Sequence, residues 1–464
     1  MGVSTQADRL SAFVEKMAGA GLPNLVIDTF AHYYRKVVNG ETGLIFDRDI
    51  QPVRPEEIAF HEKLDDFRAG GHRAMAKTVR IVLNGGLGTS MGLSGPKSLI
   101  AVKAGQSFLQ IILRQSETGP VQLAFMNSFN THEATLEALA AESAGNRALL
   151  FLQHKFPKIL QGTLGPAEWP ANRELEWNPP GHGDVYLALH ESGLLERLMA
   201  DGIRHAFICN CDNLGARVDP ALLGYFATNG FSFMMEVAEK TPADLKGGHL
   251  ARHGDGRLIL REAAQCPEDE IDAFQDIERY RYFNTNNIWV RLDRIHDLVR
   301  RHNIIDLPMI LNPKTLDPRD SASPPVFQLE SAMGAAISMF DDTGAVCVPR
   351  SRFFPVKTTN DLLAVRSDAF EYTADHSLQS RRRHPGVPAL KISLDPAHYK
   401  KIEQLEERFP AGPPSLKDCA ALSVEGDVLF EKGVSVRGSV SVRNTGKSQA
   451  VVPAGTLIDT DLTL

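Results

Sequence analysis

Residues 78–92 read TVRIVLNGGLGTSMG, a short apolar run that passes directly into a turn with four glycines. Valine and isoleucine at residues 79, 81 and 82 favour a buried strand. Glycine lets the backbone approach a ligand closely, and a turn after a parallel strand offers N–H groups to phosphate oxygens. The stretch therefore predicts either a phosphate-binding loop or a merely tight turn. It matches neither a P-loop nor a Rossmann fingerprint.

Four further apolar runs follow the first one, and each is succeeded by a polar turn and a longer amphipathic segment. They are PVQLAFMNS (120–128), RALLFLQH (147–154), IRHAFICNCDN (203–213) and FSFMMEVAE (231–239). Strands that alternate with helical segments are typical of a parallel sheet covered by helices. We therefore predict an α/β domain with a mixed, mostly parallel sheet over residues 76–378.

The first 75 residues have helical periodicity and form a predicted N-terminal helical segment. Apolar residues at 10, 13, 14 and 17, and again at 27, 30, 34 and 37, fall on one face of a helix. Pro52 and Pro55 mark a connection, and a third, charged helix is expected to continue up to Gly70 and Gly71.

The predicted C-terminal domain, residues 385–464, has a different pattern and follows the basic link SRRRHPGVPAL (380–390). Apolar residues recur here at intervals of six or twelve, and glycine occupies the skipped position 446. The apolar positions are Leu422, Val428, Val434, Val440, Val452, Ile458 and Leu464. A six-residue period favours a left-handed parallel β-helix, and a plain β-meander is the alternative.

Composition excludes several classes of protein. The chain has 464 residues, of which 43% are hydrophobic and 23% charged, with a net charge of −7. These values exclude a mostly disordered chain and disfavour general nucleic-acid binding. No apolar run reaches the length of a membrane span, and the first residues do not resemble a secretory signal. We expect a cytoplasmic protein without membrane association, with five reduced and mostly buried cysteines.

Three charged residues are candidates for phosphate chemistry. Asp212 ends the apolar run AFICNCD, where ligands bind at the carboxyl ends of parallel strands, so it is a candidate metal ligand. Lys97 follows Gly95-Pro96 near the glycine turn, and Lys357 precedes TTND, an expected helix start. The alternatives are an Asx turn at Asp212 and a solvated loop lysine at residue 357.

Neutral polar residues in the same region are candidates for substrate recognition. His182 lies between two glycines, where a side chain has room to turn toward a ligand. Gln153 carries an amide that donates and accepts at once, as uracil requires. Asn284, Asn286 and Asn287 offer amides to sugar hydroxyls, although turn formation explains them equally.

Many sequence blocks between residues 80 and 370 resemble one family in the same order. They include LNGGLGTSMG, GPKS, MNSFNTHEAT, QHKFPK, WNPPGHGDVY, CNCDNLGA, AEKTPADLKGG, FNTNNIWV, LNPKTLD, QLESAMGAAI and VPRSRFFPVKTTNDLLAVRSD. The chain resembles the eukaryotic-type UDP-glucose pyrophosphorylases, and its terminal hexads are similar to the β-helix of that family. The resemblance implies a glycosyltransferase A-like core, which converts UTP and glucose 1-phosphate to UDP-glucose and pyrophosphate with Mg²⁺.

The resemblance also implies roles for individual residues. Nucleotide contacts would come from Leu83, Gly85, Gly86, Met126, Gln153, Gly181 and His182. Asp212 would hold the metal with Asn210 nearby, Lys97 and Lys357 would bind phosphates, and the sugar would lie at Gly248, Glu262 and Asn286. Association of copies through the C-terminal β-helix is a further expectation.

One departure from related enzymes bears on the alternatives. Many bacterial sugar nucleotidyltransferases and UDP-N-acetylhexosamine pyrophosphorylases have Thr-Arg in the glycine loop, whereas this chain has Thr89-Ser90. The phosphate charge must therefore be met by Lys97, Lys357 and the metal. Remaining alternatives are a uridylyltransferase for galactose or N-acetylglucosamine 1-phosphate, a non-catalytic nucleotide-sugar-binding protein and a β-helix assembly protein.

Overall fold

The structure is a computed structural model that describes residues 6–143, 145, 147–302, 304–381 and 390–464. Its α-helices are α1 (Gln6–Gly19), α2 (Asn24–Val38), α3 (Arg68–Ala74), α4 (Phe108–Ser116), α5 (His132–Ala141), α6 (Val185–Glu191), α7 (Leu194–Ala200), α8 (Pro220–Thr228), α9 (Ile271–Gln275), α10 (Leu292–His302), α11 (Thr359–Arg366), α12 (Pro396–Tyr399) and α13 (Ile402–Arg408). Its strands are β1 (Ile50–Pro52), β2 (Ala59–Phe60), β3 (Thr78–Asn84), β4 (Ala101–Lys103), β5 (Gln106–Ser107), β6 (Gln122–Asn127), β7 (Ala148–Leu152), β8 (Phe156–Pro157), β9 (Ile159–Leu160), β10 (Trp177–Asn178), β11 (His205–Asn210), β12 (Phe233–Glu239), β13 (His249–His253), β14 (Leu258–Arg261), β15 (Tyr282–Arg291), β16 (Met309–Thr315), β17 (Pro325–Ser331), β18 (Thr343–Cys347), β19 (Phe370–Tyr372), β20 (Leu378–Ser380), β21 (Lys391–Leu394), β22 (Ser415–Glu425), β23 (Val428–Phe430), β24 (Ser435–Arg443), β25 (Ala450–Val452), β26 (Leu457–Ile458) and β27 (Leu462–Thr463).

A large mixed sheet forms the centre of the molecule. Its strands run in the order β2-β18-β12-β15-β11-β3-β6-β7, and along this path only β15 is antiparallel to its neighbours. Residues of β11 alternate between two apolar cores: Ala206 and Ile208 face one, while Phe207 and Cys209 face the other. Burial on both faces explains why these strands are continuous apolar runs. The predicted α/β architecture with a mostly parallel sheet is confirmed.

The N-terminal segment contains the first two predicted helices, but the third prediction is wrong. Residues 55–67 form short 3₁₀ turns around β2, which pairs in parallel with β18 at the edge of the sheet. The glycines at 70 and 71 lie inside α3 instead of ending it. A Cβ atom on Gly71 would stand 1.7 Å from the carbonyl oxygen of Pro220, so glycine is needed where α3 crosses α8.

The C-terminal region consists of stacked parallel strands. One sheet has the order β21-β22-β24-β26, with β27 also on β24, and β23 pairs with β25; all these pairs are parallel. Leu422 lies opposite Val440, so one step along the stack takes three hexads. A β-meander needs antiparallel neighbours, and that alternative is therefore wrong. The predicted link over residues 380–390 falls largely outside the described residues.

Two contacts join this region to the α/β domain. Gly92, at the tip of the glycine turn, has φ +84°, and a Cβ atom there would lie 2.9 Å from Cγ of Lys401. Arg366 pairs with Glu406 at 3.1 Å. No helix in the described part of the chain is long and apolar enough to span a membrane.

Candidate active site

The candidate site lies where β3, β6 and β11 end side by side. Leu83 of β3 is paired with Met126 of β6 on one side and with Asn210 of β11 on the other. Because the three strands are parallel, the turns that follow them meet at one edge of the sheet, where ligands bind in open α/β sheets. Met126 is itself almost completely buried in the core, so its side chain is not presented at the surface.

The glycine turn after β3 folds back on itself and leaves part of its backbone open. The backbone N–H of Lys97 donates to the carbonyl oxygen of Gly86 at 3.1 Å, and the Ser128 hydroxyl donates to that of Gly85 at 2.9 Å. A Cβ atom on Gly86 would meet no described atom within 4 Å, whereas one on Gly85 would stand 2.9 Å from Oε1 of Gln153. The turn thus presents open backbone beside the Gln153 amide.

The Gln153 amide is held by a neighbouring loop. Its Nε2 donates to the carbonyl oxygen of Gly181 at 2.8 Å. Gly181 has φ +77°, and a Cβ atom there would stand 2.4 Å from the carbonyl oxygen of Ser331, so both conformation and space require glycine. The predicted uracil contacts Gln153 and Gly181 are therefore brought together.

Lys97 and Asp212 form a nearly buried ion pair. Nζ of Lys97 lies 2.6 Å from Oδ2 of Asp212, and the two side chains are 13% and 12% exposed. The other carboxylate oxygen, Oδ1, is buried and has no hydrogen-bond partner among the described residues. An unpartnered carboxylate oxygen is costly to bury, so this atom is suited to a ligand.

Lys357 is exposed and stands at the start of α11. The carboxylate of Asp361 accepts hydrogen bonds from the backbone N–H groups of Lys357 and Thr358, at 2.9 and 2.8 Å. The Ser90 hydroxyl donates to the Lys357 carbonyl oxygen at 3.3 Å, which joins this loop to the glycine turn. The expected placement of a cation beside a helix N-terminus is therefore present.

His182 is held as a neutral imidazole. Burial lowers its pKa to about 4, and the positive charge of Lys357 acts in the same direction. Its Nδ1 accepts a hydrogen bond from the backbone N–H of Met333 at 3.0 Å. The proton of the neutral ring must then be on Nε2, which is left as a donor.

The three predicted sugar residues lie around one short strand end. A Cβ atom on Gly248 would stand 2.4 Å from Oε2 of Glu262, so carboxylate and backbone are in contact. The backbone N–H of Asn284 donates to the Gly248 carbonyl oxygen at 2.8 Å, and the Asn284 side chain bonds to Asn286. Burial raises the pKa of Glu262, which the charge of Lys357 partly offsets. Asn286 has φ +58°.

Several residues at this edge were not anticipated. Asp184 accepts hydrogen bonds from the backbone N–H of His154 at 2.7 Å and pairs with its ring at 3.0 Å; burial lowers the His154 pKa, but this carboxylate outweighs it and raises the pKa. Glu236 and Arg352 form a buried pair behind Asp212. The signal for Glu236 was available: it is a carboxylate in the middle of the apolar run FSFMMEVAE.

Metal-binding capacity at the site rests on few ligands. Within the described residues, no group of three or more histidine, cysteine or acidic side chains is arranged to hold a metal ion. The open Oδ1 of Asp212 fits a different mode, in which Mg²⁺ takes one carboxylate together with substrate phosphates and water.

Comparison with known proteins agrees with this geometry. A family model described as UTP–glucose-1-phosphate uridylyltransferase matches residues 27–437. The enzyme of that name from Saccharomyces cerevisiae is 37% identical over 445 residues, covering 93% of this chain and 87% of the relative. The one from Solanum tuberosum is 37% identical, with 92% and 90% covered.

Solved structures give the same result. The UDP-glucose pyrophosphorylase of Leishmania major, known in open and closed structures, is 41% identical with a TM-score of 0.91, and the match covers 99% of this chain and 100% of that one. A variant of it solved in complex with UDP-glucose has a TM-score of 0.90 at 41% identity, with 98% and 99% covered. The chain belongs to the UTP–glucose-1-phosphate uridylyltransferase family.

Proposed function

We propose that this protein transfers the uridylyl group of UTP to glucose 1-phosphate, forming UDP-glucose and pyrophosphate. The observation that carries the proposal is the Lys97–Asp212 pair, with its open Oδ1, at the carboxyl ends of the parallel strands. The match to the family over residues 27–437 supports it.

On the nucleotide side, the open backbone of Leu83, Gly85 and Gly86 receives the nucleotide. Gln153 and the Gly181 loop read the uracil, because a base edge with alternating donors and acceptors matches an amide held beside a peptide. The buried Met126 supports this pocket from below. The nucleotide-binding half is proposed to be a glycosyltransferase A-like core.

In the transfer step, a phosphate oxygen of the sugar phosphate attacks the α-phosphorus of UTP. A new P–O bond forms as the bond to the β-phosphate oxygen breaks, and pyrophosphate leaves with that electron pair. The nucleophile is already anionic, so no general base is required. Lys97 and Lys357 neutralise phosphate charge, and Nε2–H of His182 donates to a phosphate oxygen.

A magnesium ion is proposed at Oδ1 of Asp212, with Asn210 nearby at the end of β11. When bound, Mg²⁺ would neutralise phosphate charge and help orient the two substrates. Lys97 already pairs with Oδ2, so the carboxylate offers the ion one free oxygen and needs phosphate oxygens to complete its shell.

On the sugar side, Gly248, Glu262 and Asn286 are proposed to receive the hexose hydroxyls. Contact between Gly248 and the Glu262 carboxylate leaves no room for a side chain at residue 248. Galactose and N-acetylglucosamine 1-phosphates are the competing substrates, and they differ from glucose 1-phosphate at positions that such contacts would read.

Further proposals concern the C-terminal region and the cell compartment. We propose that the stacked strands wind as a left-handed β-helix and that copies associate through it, as the exposed Val451 and Leu457 side chains favour. Light scattering that gives a single-chain mass at every concentration would reject the association. Five free, buried cysteines support a cytoplasmic location.

The experiment that tests the activity is pyrophosphate release from UTP with Mg²⁺ and individual sugar 1-phosphates. Glucose 1-phosphate is expected to give the highest kcat/KM. A higher value for another sugar would reassign the substrate. UTP binding without turnover would favour a non-catalytic binding protein, and neither binding nor turnover would favour an assembly role.

A further inference from the structure

Glu236 is a charged residue in the centre of the main sheet. It lies on β12 and is completely buried, yet its carboxylate accepts four hydrogen bonds. The donors are Nε and Nη2 of Arg352 at 2.8 and 2.7 Å, Nε1 of Trp289 at 2.9 Å and Nδ2 of Asn287 at 3.0 Å. We call these four residues the Glu236 network.

Burial of an ion pair contributes little net stability, because the desolvation of two charges offsets their attraction. Apolar residues of similar volume would fill this position at least as well. The geometry of the Glu236 network is therefore better explained by what Arg352 holds than by stability alone. Its planar guanidinium is fixed by a fork of two hydrogen bonds, which leaves the backbone of residue 352 little freedom.

The backbone at Arg352 is joined directly to the loop that carries Asp212. Nδ2 of Asn213 donates to the Arg352 carbonyl oxygen at 3.0 Å, and Oδ1 of Asn213 accepts from the backbone N–H of Phe354 at 2.9 Å. The backbone N–H of Val356 then donates to the carbonyl oxygen of Asp212 at 3.1 Å.

The two loops are also too close for any side chain between them. A Cβ atom on Gly215 would stand 2.6 Å from the carbonyl oxygen of Ser351. The segments 212–215 and 351–356 are thus joined along their length, and Lys357 follows directly. A displacement of Arg352 moves both the metal-binding carboxylate and the phosphate-binding lysine.

We infer that Glu236, acting through Arg352, is a positioning residue that fixes Asp212 and Lys357 relative to each other for the transfer step. The inference rests on the proposed function. Two groups that must contact one transferring phosphoryl group lose much of their effect when displaced by about 1 Å.

The main test compares two variants that each remove one carboxylate charge. Glu236→Gln keeps the shape of the side chain but removes the charge that Arg352 faces. We expect kcat for UDP-glucose formation to fall at least about tenfold while KM for UTP changes less than about threefold. The matched control is Asp427→Asn, which removes the partner of Arg408, 2.8 Å away in the C-terminal region. It should lower the unfolding temperature and leave kcat unchanged.

A double variant separates positioning from stability. Glu236→Gln combined with Arg352→Met removes both charges, so the penalty of an unpaired buried charge disappears and the unfolding temperature should recover. The fork that fixes the loop is still absent, so kcat should stay low. Recovery of kcat together with the unfolding temperature would overturn the inference, as would a wild-type kcat in Glu236→Gln.

If the Glu236 variants do not fold, Asn213→Ala tests the same connection at its outer end. It removes the contacts to Arg352 and Phe354 and leaves the buried charges paired. The same loss of kcat is expected, and a wild-type kcat would overturn the inference. The wild-type enzyme is measured in the same assay, since its inactivity would instead reject the proposed function.

Discussion

Asp212 is expected to be indispensable because its open Oδ1 is the carboxylate oxygen available to the metal at the strand ends. Asp212→Ala should reduce kcat by more than about 10³-fold, since one lost charge-stabilising group already costs about 10²–10³. Steady-state kinetics at saturating Mg²⁺ measures this, and circular dichroism checks that the fold is kept. Near-wild-type turnover would exclude the metal role.

Lys97 and Lys357 are expected to act mainly in the transition state, when charge moves onto the leaving pyrophosphate. Replacement of either by methionine keeps the apolar stem and removes the charge. Each variant should lower kcat at least about 10²-fold with a smaller change in KM. Kinetics in both directions measures the effect. A rise in KM alone would make the lysines binding anchors.

His182 should make the stability of the protein depend on pH. Its pKa is lowered from 6.5 to about 4 in the folded protein, so the unfolded chain binds the extra proton between these values. Stability must then rise with pH across this window and fall on acidification. His182→Gln lacks the titrating group. The advantage of wild type over His182→Gln in unfolding temperature should therefore shrink from pH 7 to pH 5, and a constant difference would contradict this.

At the scale of the element, the loops after β3 and β7 are expected to select the base together. Gln153 lies between the Gly85 turn and the Gly181 carbonyl oxygen. Gln153→Ala should weaken UTP far more than glucose 1-phosphate, because the polar groups built to read uracil would be left unpaired. KM values for both substrates measure this, and equal losses would indicate a structural role for Gln153.

The elements predicted best were those whose pattern is local. The runs that became β3, β6, β7, β11 and β12 could be found because strands buried on both faces are continuous apolar sequences. The third helix was mispredicted because β2 gains its partner from β18, almost 300 residues away in the chain. The Glu236 pair joins residues 116 positions apart, and no local pattern reveals such a partner.

At the scale of the whole molecule, the glycine turn is expected to depend on the C-terminal region. Gly92 has φ +84° and almost touches the Lys401 stem, so Gly92→Ala introduces both strain and a clash. It should lower the unfolding temperature and raise KM for UTP. Gly95→Ala is the matched control in the same turn, since a Cβ atom there meets no described atom within 4 Å. Equal behaviour of the two variants would refute this dependence.

The stacking of the C-terminal strands also bears on how this region tolerates insertions and deletions. Each strand pairs only with strands one step before or after it, and Leu422 and Val440 show a step of 18 residues. Whole turns of chain are therefore interchangeable units, whereas a gain or loss of one or two residues moves apolar side chains outward in every later turn. Length differences between relatives are expected to accumulate here in multiples of the hexad, so that the region evolves in discrete steps while the substrate-binding edge of the sheet keeps its dimensions.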